Sequence, residues 1–326
     1  MSLRLSLSVS RWPLASRFAI SRGAKTEAEV VVVELNDGGF RGRGECVPYA
    51  RYGETLDSVR AVIEQLAGRI EQGLDREALQ SALPAGAARN ALDCALWDLA
   101  AKRAKKRVWE IAGLSAPPSA VTAYTISLDT PEAMAAAAAR VDFPLLKLKL
   151  GAEGDPARLR AVRAARPDAY LIADANEGWR ADDLTTNFAA CVEAGVEMIE
   201  QPLPAGDDGA LLKFERPIPI CADESVHDRA SLAALQGKYD LVNIKLDKTG
   251  GLTEALAMAD AAEQAGFGLM IGSMVGTSLG VAPALLLAHR ALFVDLDGPL
   301  VLARDRPEGL RYSGTEISPP LPALWG

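Results

Sequence analysis

Two lysines one residue apart, Lys147 and Lys149, are followed along the chain by Asp174, Glu200 and Asp223, then by Lys245, and near the C-terminus by Asp295 and Asp297. Each lies in or at the end of a short apolar run, with about one strand-and-helix length of chain between successive runs from Lys149 to Lys245. Carboxylates with no His or Cys among them offer hard oxygen donors, which suit Mg²⁺, with Mn²⁺ as a substitute, better than zinc. A lysine near a cation and near another lysine has its charged form disfavoured and can act as a base near neutral pH. The chemistry these types could do is removal of a proton beside a carboxylate, with the cation stabilising the oxyanion as charge develops. Only two histidines, His227 and His289, are present, so proton transfer must rest on Lys, Asp or Glu.

Each residue also has a plainer reading. A lone Asp after an apolar strand is commonly a helix cap or a turn residue, which fits Asp174 and Asp223-Glu224-Ser225. Glu200-Gln201-Pro202 fits that reading less well, because Glu is a poor cap and the proline stops the strand at once. Capping does not account for three carboxylates on three consecutive strands with lysines on the strands either side.

The elements that must position these groups can be read from the pattern. Eight apolar runs, at 121–128, 145–150, 170–174, 198–200, 218–223, 241–246, 268–272 and 292–295, alternate with helical or return segments, as in a (β/α)8-like barrel. The connection after the last is too short for an eighth helix. Active sites in such barrels gather at the C-terminal strand ends. Lys147 and Lys149 share one strand face. Lys149 and Lys245, on strands two and six, face each other across the mouth.

Before the barrel, residues 3–9 and 29–35 read as strands, and Asn36-Asp37-Gly38-Gly39 as a hairpin turn. Residues 58–68 and 86–105 read as helices, so the first part is a small α+β domain. The best linker is 113–119, and the Pro-rich tail 307–326 is expected to pack back on the first domain.

At 326 residues, 49% hydrophobic and 24% charged, the chain is ordinary globular material. A formal net charge of −8 argues against a nucleic-acid partner. No apolar run is long enough for a membrane span, and the N-terminus, residues 1–20, alternates Arg with apolar residues, lacks a signal-peptide core and reads as a strand instead. Four widely spaced cysteines suit a reducing cytoplasm and neither a zinc ribbon nor a disulfide scaffold. GxGxxG, the P-loop pattern and HExxH are absent.

Taken together, Ala-Asp-Ala-Asn (173–176), Ile-Glu-Gln-Pro (199–202), Ala-Asp-Glu-Ser (222–225) and Asn-Ile-Lys-Leu-Asp-Lys-Thr-Gly-Gly (243–251), with Lys-x-Lys at 147–149, resemble the enolase superfamily in its muconate-cycloisomerase-like subgroup. The resemblance implies an α/β fold: a (β/α)7β TIM-like barrel at 116–299 and an N-terminal α+β capping domain at 1–115, completed by the tail 300–326. It implies one Mg²⁺ per active site on Asp174, Glu200 and Asp223, acid/base work by Lys149 and Lys245, and Lys147 tuning Lys149 and touching the substrate carboxylate. That such lysines and Mg²⁺ act on an ene-diolate comes with the superfamily and not from spacing.

Asp295-Leu296-Asp297 is similar to the Asp-x-Asp with which dipeptide epimerases grip an α-ammonium; the plain reading of Asp297-Gly298-Pro299 is a turn. Ile20-Ser21-Arg22-Gly23 is similar to a mobile loop of epimerases of the L-Ala-D/L-Glu type, where Arg22, ahead of Lys25 and Arg51, would pair with the glutamate side chain. Its plain reading is a solvated loop arginine. Residues 49–54 look like a second cap loop, and Ser273 and Met274, within Gly272–Gly276, would line the pocket.

The activity implied is epimerisation of a small dipeptide at its C-terminal α-carbon, L-Ala-D-Glu to L-Ala-L-Glu, by two-base proton transfer in murein-peptide metabolism. Alternatives are an N-acylamino acid racemase, an o-succinylbenzoate synthase, a muconate-type cycloisomerase, or a retired barrel that only binds a metal–carboxylate ligand. Assembly into a homo-oligomer stays open.

Overall fold

The computed structural model describes residues 3–326. The chain opens with an antiparallel sheet of β1 (Arg4–Ile20), β2 (Gly23–Asp37) and β3 (Phe40–Cys46), in that order. The 36–39 turn joins β2 to β3, as the sequence suggests. β1 extends to the end of the strand read at 1–20 and pairs with β2 out to Ile20↔Gly23, with a register shift between Pro13 and Phe18. The outer arm of this hairpin is largely exposed, with Trp12, Leu14, Phe18 and Ile20 half-buried. Helices Leu56–Glu71, Arg76–Ala82 and Ala87–Ala104 cover the sheet. They close a core of Val31, Val33 and Leu35 against Ile63, Leu92 and Leu99. The middle helix is absent from the pattern reading; it is a short segment that buries only Leu79.

The expected first barrel strand at 121–128 is split. β4 (Ala120–Val121) belongs to another sheet, and only β5 (Tyr124–Ile126) enters the barrel. After it come β6 (Leu145–Lys149), β7 (Tyr170–Asp174), β8 (Val196–Glu200), β9 (Ile220–Ala222), β10 (Leu241–Lys245), β11 (Gly268–Gly272) and β12 (Phe293–Asp295). They form one eight-stranded parallel sheet in sequence order. Its two ends meet where the Ala123 N–H donates to the Val294 carbonyl at 2.8 Å.

Register sets the site. Lys149 lies opposite Asp174, Asp174 opposite Glu200, Lys245 opposite Gly272, and Gly272 opposite Asp295. A second cluster, with Ile172, Met198, Leu241 and Met270, fills apolar space along the same strands. Helices Pro131–Ala139, Asp155–Ala165, Leu184–Glu193 and Leu252–Gln264 pack outside. Short 3-10 segments, Gly209–Leu212 and Arg229–Leu235, follow β8 and β9 in place of α-helices. After β12 there is a single helical turn, Gly298–Val301.

The tail forms β13 (Tyr312–Ser313) and β14 (Glu316–Ile317), and β14 pairs with β4. It ends against the cap. Trp325 is fully buried and donates from Nε1 to the Cys94 carbonyl at 3.0 Å, while the Gly326 N–H donates to Asp98 Oδ1 at 2.7 Å. Among the described residues no helix is long and apolar enough to cross a membrane. All four cysteines are free and buried.

Candidate active site

The residues singled out from strands two to six and eight meet at one end of the barrel and are buried there. Lys147 is 1% exposed, with Nζ 2.6 Å from Glu200 Oε2, 2.7 Å from Asp295 Oδ2 and 3.1 Å from Asp174 Oδ2. Lys149 Nζ donates to Asp174 Oδ2 at 2.6 Å, and Lys245 Nζ to Asp223 Oδ2 at 2.7 Å. In the sheet order β6 and β10 stand four strands apart, so the Lys149 and Lys245 strands lie on opposite sides of the ring.

Charge balance inside this ring decides protonation. Burial works against the Lys147 ammonium, but Asp295, Glu200 and Asp174 outweigh it and raise its pKa well above the usual lysine range. Lys245 is raised too: burial opposes its charge, and Asp223 and Glu200 overcome the penalty. Asp174 and Asp223 resist burial through their lysines and stay below the usual carboxylate range. Glu200 is pushed up to about 7 by burial and by Asp174, with Lys147 only partly compensating.

Asp174 does have the local role of a turn residue, since its Oδ1 accepts the Asn176 N–H at 2.9 Å. The other oxygen is the one held by lysines, so the two readings coexist.

Several residues went unassigned at the sequence level. Lys248, 1% exposed, donates to the Asp223 carbonyl, Asp223 Oδ1 and the Asn243 carbonyl at 2.6, 2.5 and 2.9 Å. Burial lowers its pKa. Asn243 donates to Glu200 Oε1 at 2.8 Å. Gln201 takes the left-handed backbone region at φ 36°, and its Oε1 accepts the N–H groups of Asp223 and Ser225 at 2.9 and 3.1 Å. It thereby ties the turn after β8 to the turn after β9. A non-glycine residue in that region costs free energy and persists only where surroundings impose it. The available signal was the motifs themselves, in which Lys248, Asn243 and Gln201 stand beside assigned residues.

Asp295 and Asp297 are 5% and 6% exposed. Asp297 sits at the start of the turn Gly298–Val301, yet its side chain makes no cap there; Oδ2 accepts the Thr125 N–H at 2.6 Å. Burial and Asp295 push its carboxyl up to about 7. Asp295 Oδ1 is buried with no hydrogen-bond partner. The Ser273–Met274 segment packs beside Gly298, where an added Cβ would lie 2.9 Å from the Met274 carbonyl oxygen and 3.3 Å from Ser273 Oγ.

Arg22 is at the tip of the β1–β2 hairpin and is not a solvated loop residue. It reaches Glu224 Oε1 at 2.6 Å, the Asn176 carbonyl at 2.6 Å, Tyr49 OH at 3.0 Å and Glu177 Oε2 at 3.1 Å. Arg51 binds both Glu177 oxygens at 2.7 Å, so both cap loops close onto the ends of β7 and β9. Lys25 instead lies over the Tyr49 ring, 5.4 Å from its centroid.

Among the described residues no three His, Cys, Asp or Glu side chains are grouped as a ready ligand set. At the strand ends lysine ammoniums hold the carboxylate oxygens and supply the positive charge. The donor set nevertheless fits a hard divalent cation, because Asp174, Glu200 and Asp223 come from adjacent strands as oxygen donors alone. Glu200 Oε2, close as it is to Lys147, has no hydrogen bond of sound geometry.

Comparison with known proteins agrees with this layout. Residues 4–113 match the family described as mandelate racemase / muconate lactonizing enzyme, N-terminal domain, and residues 130–297 match that described as enolase C-terminal domain-like. The L-Ala-D/L-Glu epimerase of Escherichia coli (strain K12) is 51% identical over 309 residues, 94% of this chain and 96% of that one. An N-acetyl-D-glutamate racemase of a Pseudoalteromonas species is 46% identical over 91% of this chain and 95% of its own length. A solved structure from Agrobacterium tumefaciens, an enolase family member with homology to dipeptide epimerases, holds sodium and L-Ala-L-Glu with an ordered loop. It superposes with a TM-score of 0.98 at 53% identity and covers 99% of this chain and 100% of that one.

Proposed function

The chain belongs to the enolase superfamily, and from that premise we propose that it is an isomerase, a Mg²⁺-dependent dipeptide epimerase acting on L-Ala-D/L-Glu. On this reading Asp174, Glu200 and Asp223 hold one Mg²⁺, replaceable by Mn²⁺, within the barrel, and residues 1–115 with the tail 300–326 form the cap. A divalent cation there supplies positive charge beside the substrate's α-carboxylate as the α-proton leaves.

The lysines do the rest. Lys149 and Lys245, on opposite sides of the ring, flank the α-carbon; one removes the proton and the other, as ammonium, returns a proton to the opposite face. Each is base for one epimer and acid for the other. Lys147, buried between Glu200, Asp295 and Asp174, would hold the substrate carboxylate and tune Lys149. Arg22 gives up a protein carboxylate to take the glutamate side chain, and Ser273 and Met274 bound the pocket.

The observation that carries the dipeptide reading is the buried pair Asp295 and Asp297, with Asp295 Oδ1 unpartnered. Of this pair's oxygens Lys147 serves Asp295 Oδ2 alone, so Asp295 Oδ1 and Asp297 leave room for a second cation, and the free α-ammonium of a dipeptide is one. An N-acylated amino acid brings no such charge, although the similarity to an N-acetyl-D-glutamate racemase keeps that reaction as the second reading. The deciding experiment incubates a dipeptide library and matched N-acetylamino acids in D₂O with Mg²⁺ and follows mass gain at the α-carbon. Exchange into L-Ala-Glu well ahead of N-acetylglutamate supports the proposal; the reverse order overturns it in favour of the racemase. We place the enzyme in the cytoplasm, in breakdown or recycling of murein peptides.

A further inference from the structure

The chain after Lys245 is built against the cap. β10 ends at Lys245 and passes straight into the turn Leu246–Thr249, then Gly250-Gly251, then helix Leu252–Gln264. That helix starts at Gly251, which has no side chain to cap its first N–H groups. Asp93, on the cap helix Ala87–Ala104 and fully buried, does so instead. Its Oδ2 accepts the Thr253 N–H at 2.9 Å and its Oδ1 accepts the Thr253 hydroxyl at 2.6 Å.

One turn earlier on the same cap helix, Arg89 donates to the Thr249 and Gly250 carbonyls at 2.6 and 3.1 Å. It also donates to the cap's own Gln80 and Leu83 carbonyls. Asp247 Oδ1 accepts from Asn90 Nδ2 at 2.8 Å and from the Val47 N–H at 3.0 Å. The approach is close enough to dictate sequence. A Cβ on Gly250 would lie 2.3 Å from Arg89 Nε, and one on Gly251 would lie 2.5 Å from Asp93 Cβ, with φ at +78° and +112°. The strand of Lys149, by contrast, is finished by hydrogen bonds inside the barrel, where the Leu150 N–H donates to the Asp174 carbonyl and the Gly151 N–H to Asp155 Oδ2. The cap reaches it through the β1–β2 hairpin, with Ser21 against Gly151 and the Phe18 ring centroid 6.0 Å from Lys149 Nζ, and not through helix Ala87–Ala104.

We propose that Asp93 and Arg89 of the cap are positioning residues for Lys245: by capping and pinning the turn that follows it, the docking of helix Ala87–Ala104 sets the aim of one of the two lysines and not the other. This rests on the two-lysine reading above, so the experiment tests both.

Initial α-hydrogen loss in D₂O with Mg²⁺ is measured for L-Ala-L-Glu and L-Ala-D-Glu separately with the full-length protein. Lys149→Ala and Lys245→Ala assign one epimer to each lysine. Asp93→Ala and Arg89→Met should then slow the Lys245-facing epimer about tenfold or more and leave the other within about twofold, since small misplacements of a reacting group are costly. Asp93→Asn, which keeps an acceptor for the Thr253 N–H, should recover most of the loss. If Asp93→Ala fails to fold, Thr253→Val, which keeps the Thr253 N–H on Asp93 and deletes the hydroxyl that donates to Asp93 and accepts from Trp97 Nε1, should give a smaller loss of the same one-sided kind. Equal slowing of both epimers, or no slowing, overturns the proposal. If the two lysine variants do not divide the epimers, the two-lysine reading itself falls, and the proposal with it.

Discussion

Asp247 lies on the seam between cap and barrel, and replacing it with Asn should make the protein more stable at alkaline pH. Burial is the main reason its carboxyl is pushed up to about 7. The Val47 N–H and Asn90 amide work against that, and the negative charges of Glu54 and Glu45 add to it. In the unfolded chain the same group titrates near 3.8. A group whose folded pKa is raised keeps its full contribution below the unfolded pKa and loses it as pH rises through the folded one. A gap of roughly three units is about 4 kcal/mol, lost between about pH 4 and pH 7. Asp247→Asn removes the titration and keeps an oxygen for both donors. It should be close to neutral near pH 4 and stabilising by about 2–4 kcal/mol at pH 8.5. At about 2 °C per kcal/mol for a long chain, the thermal midpoint should rise by about 4–8 °C there. Melting both proteins from pH 4 to pH 8.5 reads this directly. A variant that is less stable at pH 8.5, or whose difference does not change with pH, refutes the argument that Asp247 is a half-buried carboxyl held protonated by its surroundings.

Chelation should abolish epimerisation and Mg²⁺ restore it, and Asp223→Asn should weaken Mg²⁺ binding measured by calorimetry; full activity in chelator would remove the metal from the reading. N-acetylating the dipeptide should lower kcat/KM by the equivalent of about 2–5 kcal/mol, the usual effect of removing one partner of a buried charge pair, and Asp297→Asn should shrink that penalty. Lys147→Met should cost the metal-free protein about 3–5 kcal/mol in urea unfolding, because three buried carboxylates lose their shared ammonium; adding Asp295→Asn should return part of it.

The barrel and its ring of charge could be read in advance because each signal is local. A β/α unit repeats, and a charged residue in or at the end of an otherwise apolar strand contradicts the pattern around it. Lys147, Lys149, Asp174, Glu200, Lys245 and Asp295 all stand out in that way; register then sets Lys149, Asp174 and Glu200 side by side and Asp295 level with Lys245 through Gly272, with Lys147 two residues before Lys149 on the same face. Where two sheets compete for one stretch of chain, local pattern fails. Residues 121–128 look like a single strand, but Ala120–Val121 is claimed by Glu316–Ile317, nearly two hundred residues away. The arm of β1 beyond Val9 shows in the sequence as apolar residues alternating with Arg, but its register shift between Pro13 and Phe18 emerges only in the folded chain.

The same reasoning explains which parts of the site stayed hidden. Arg22 could be picked out as a basic residue in a loop, yet its partners Glu224 and Glu177 lie 202 and 155 residues further on. Asp93 looks like one more acidic residue on a cap helix, and Gly250-Gly251 like a generic turn. Each makes sense only once the helix is laid across the turn: the aspartate caps a helix 160 residues away, and the glycines leave room for it to arrive. Residues that touch the reacting atoms must carry chemistry that their neighbours do not, and this sets them apart in the sequence. Residues that aim them need only an ordinary acceptor or a missing Cβ in the right place, which only the folded chain reveals.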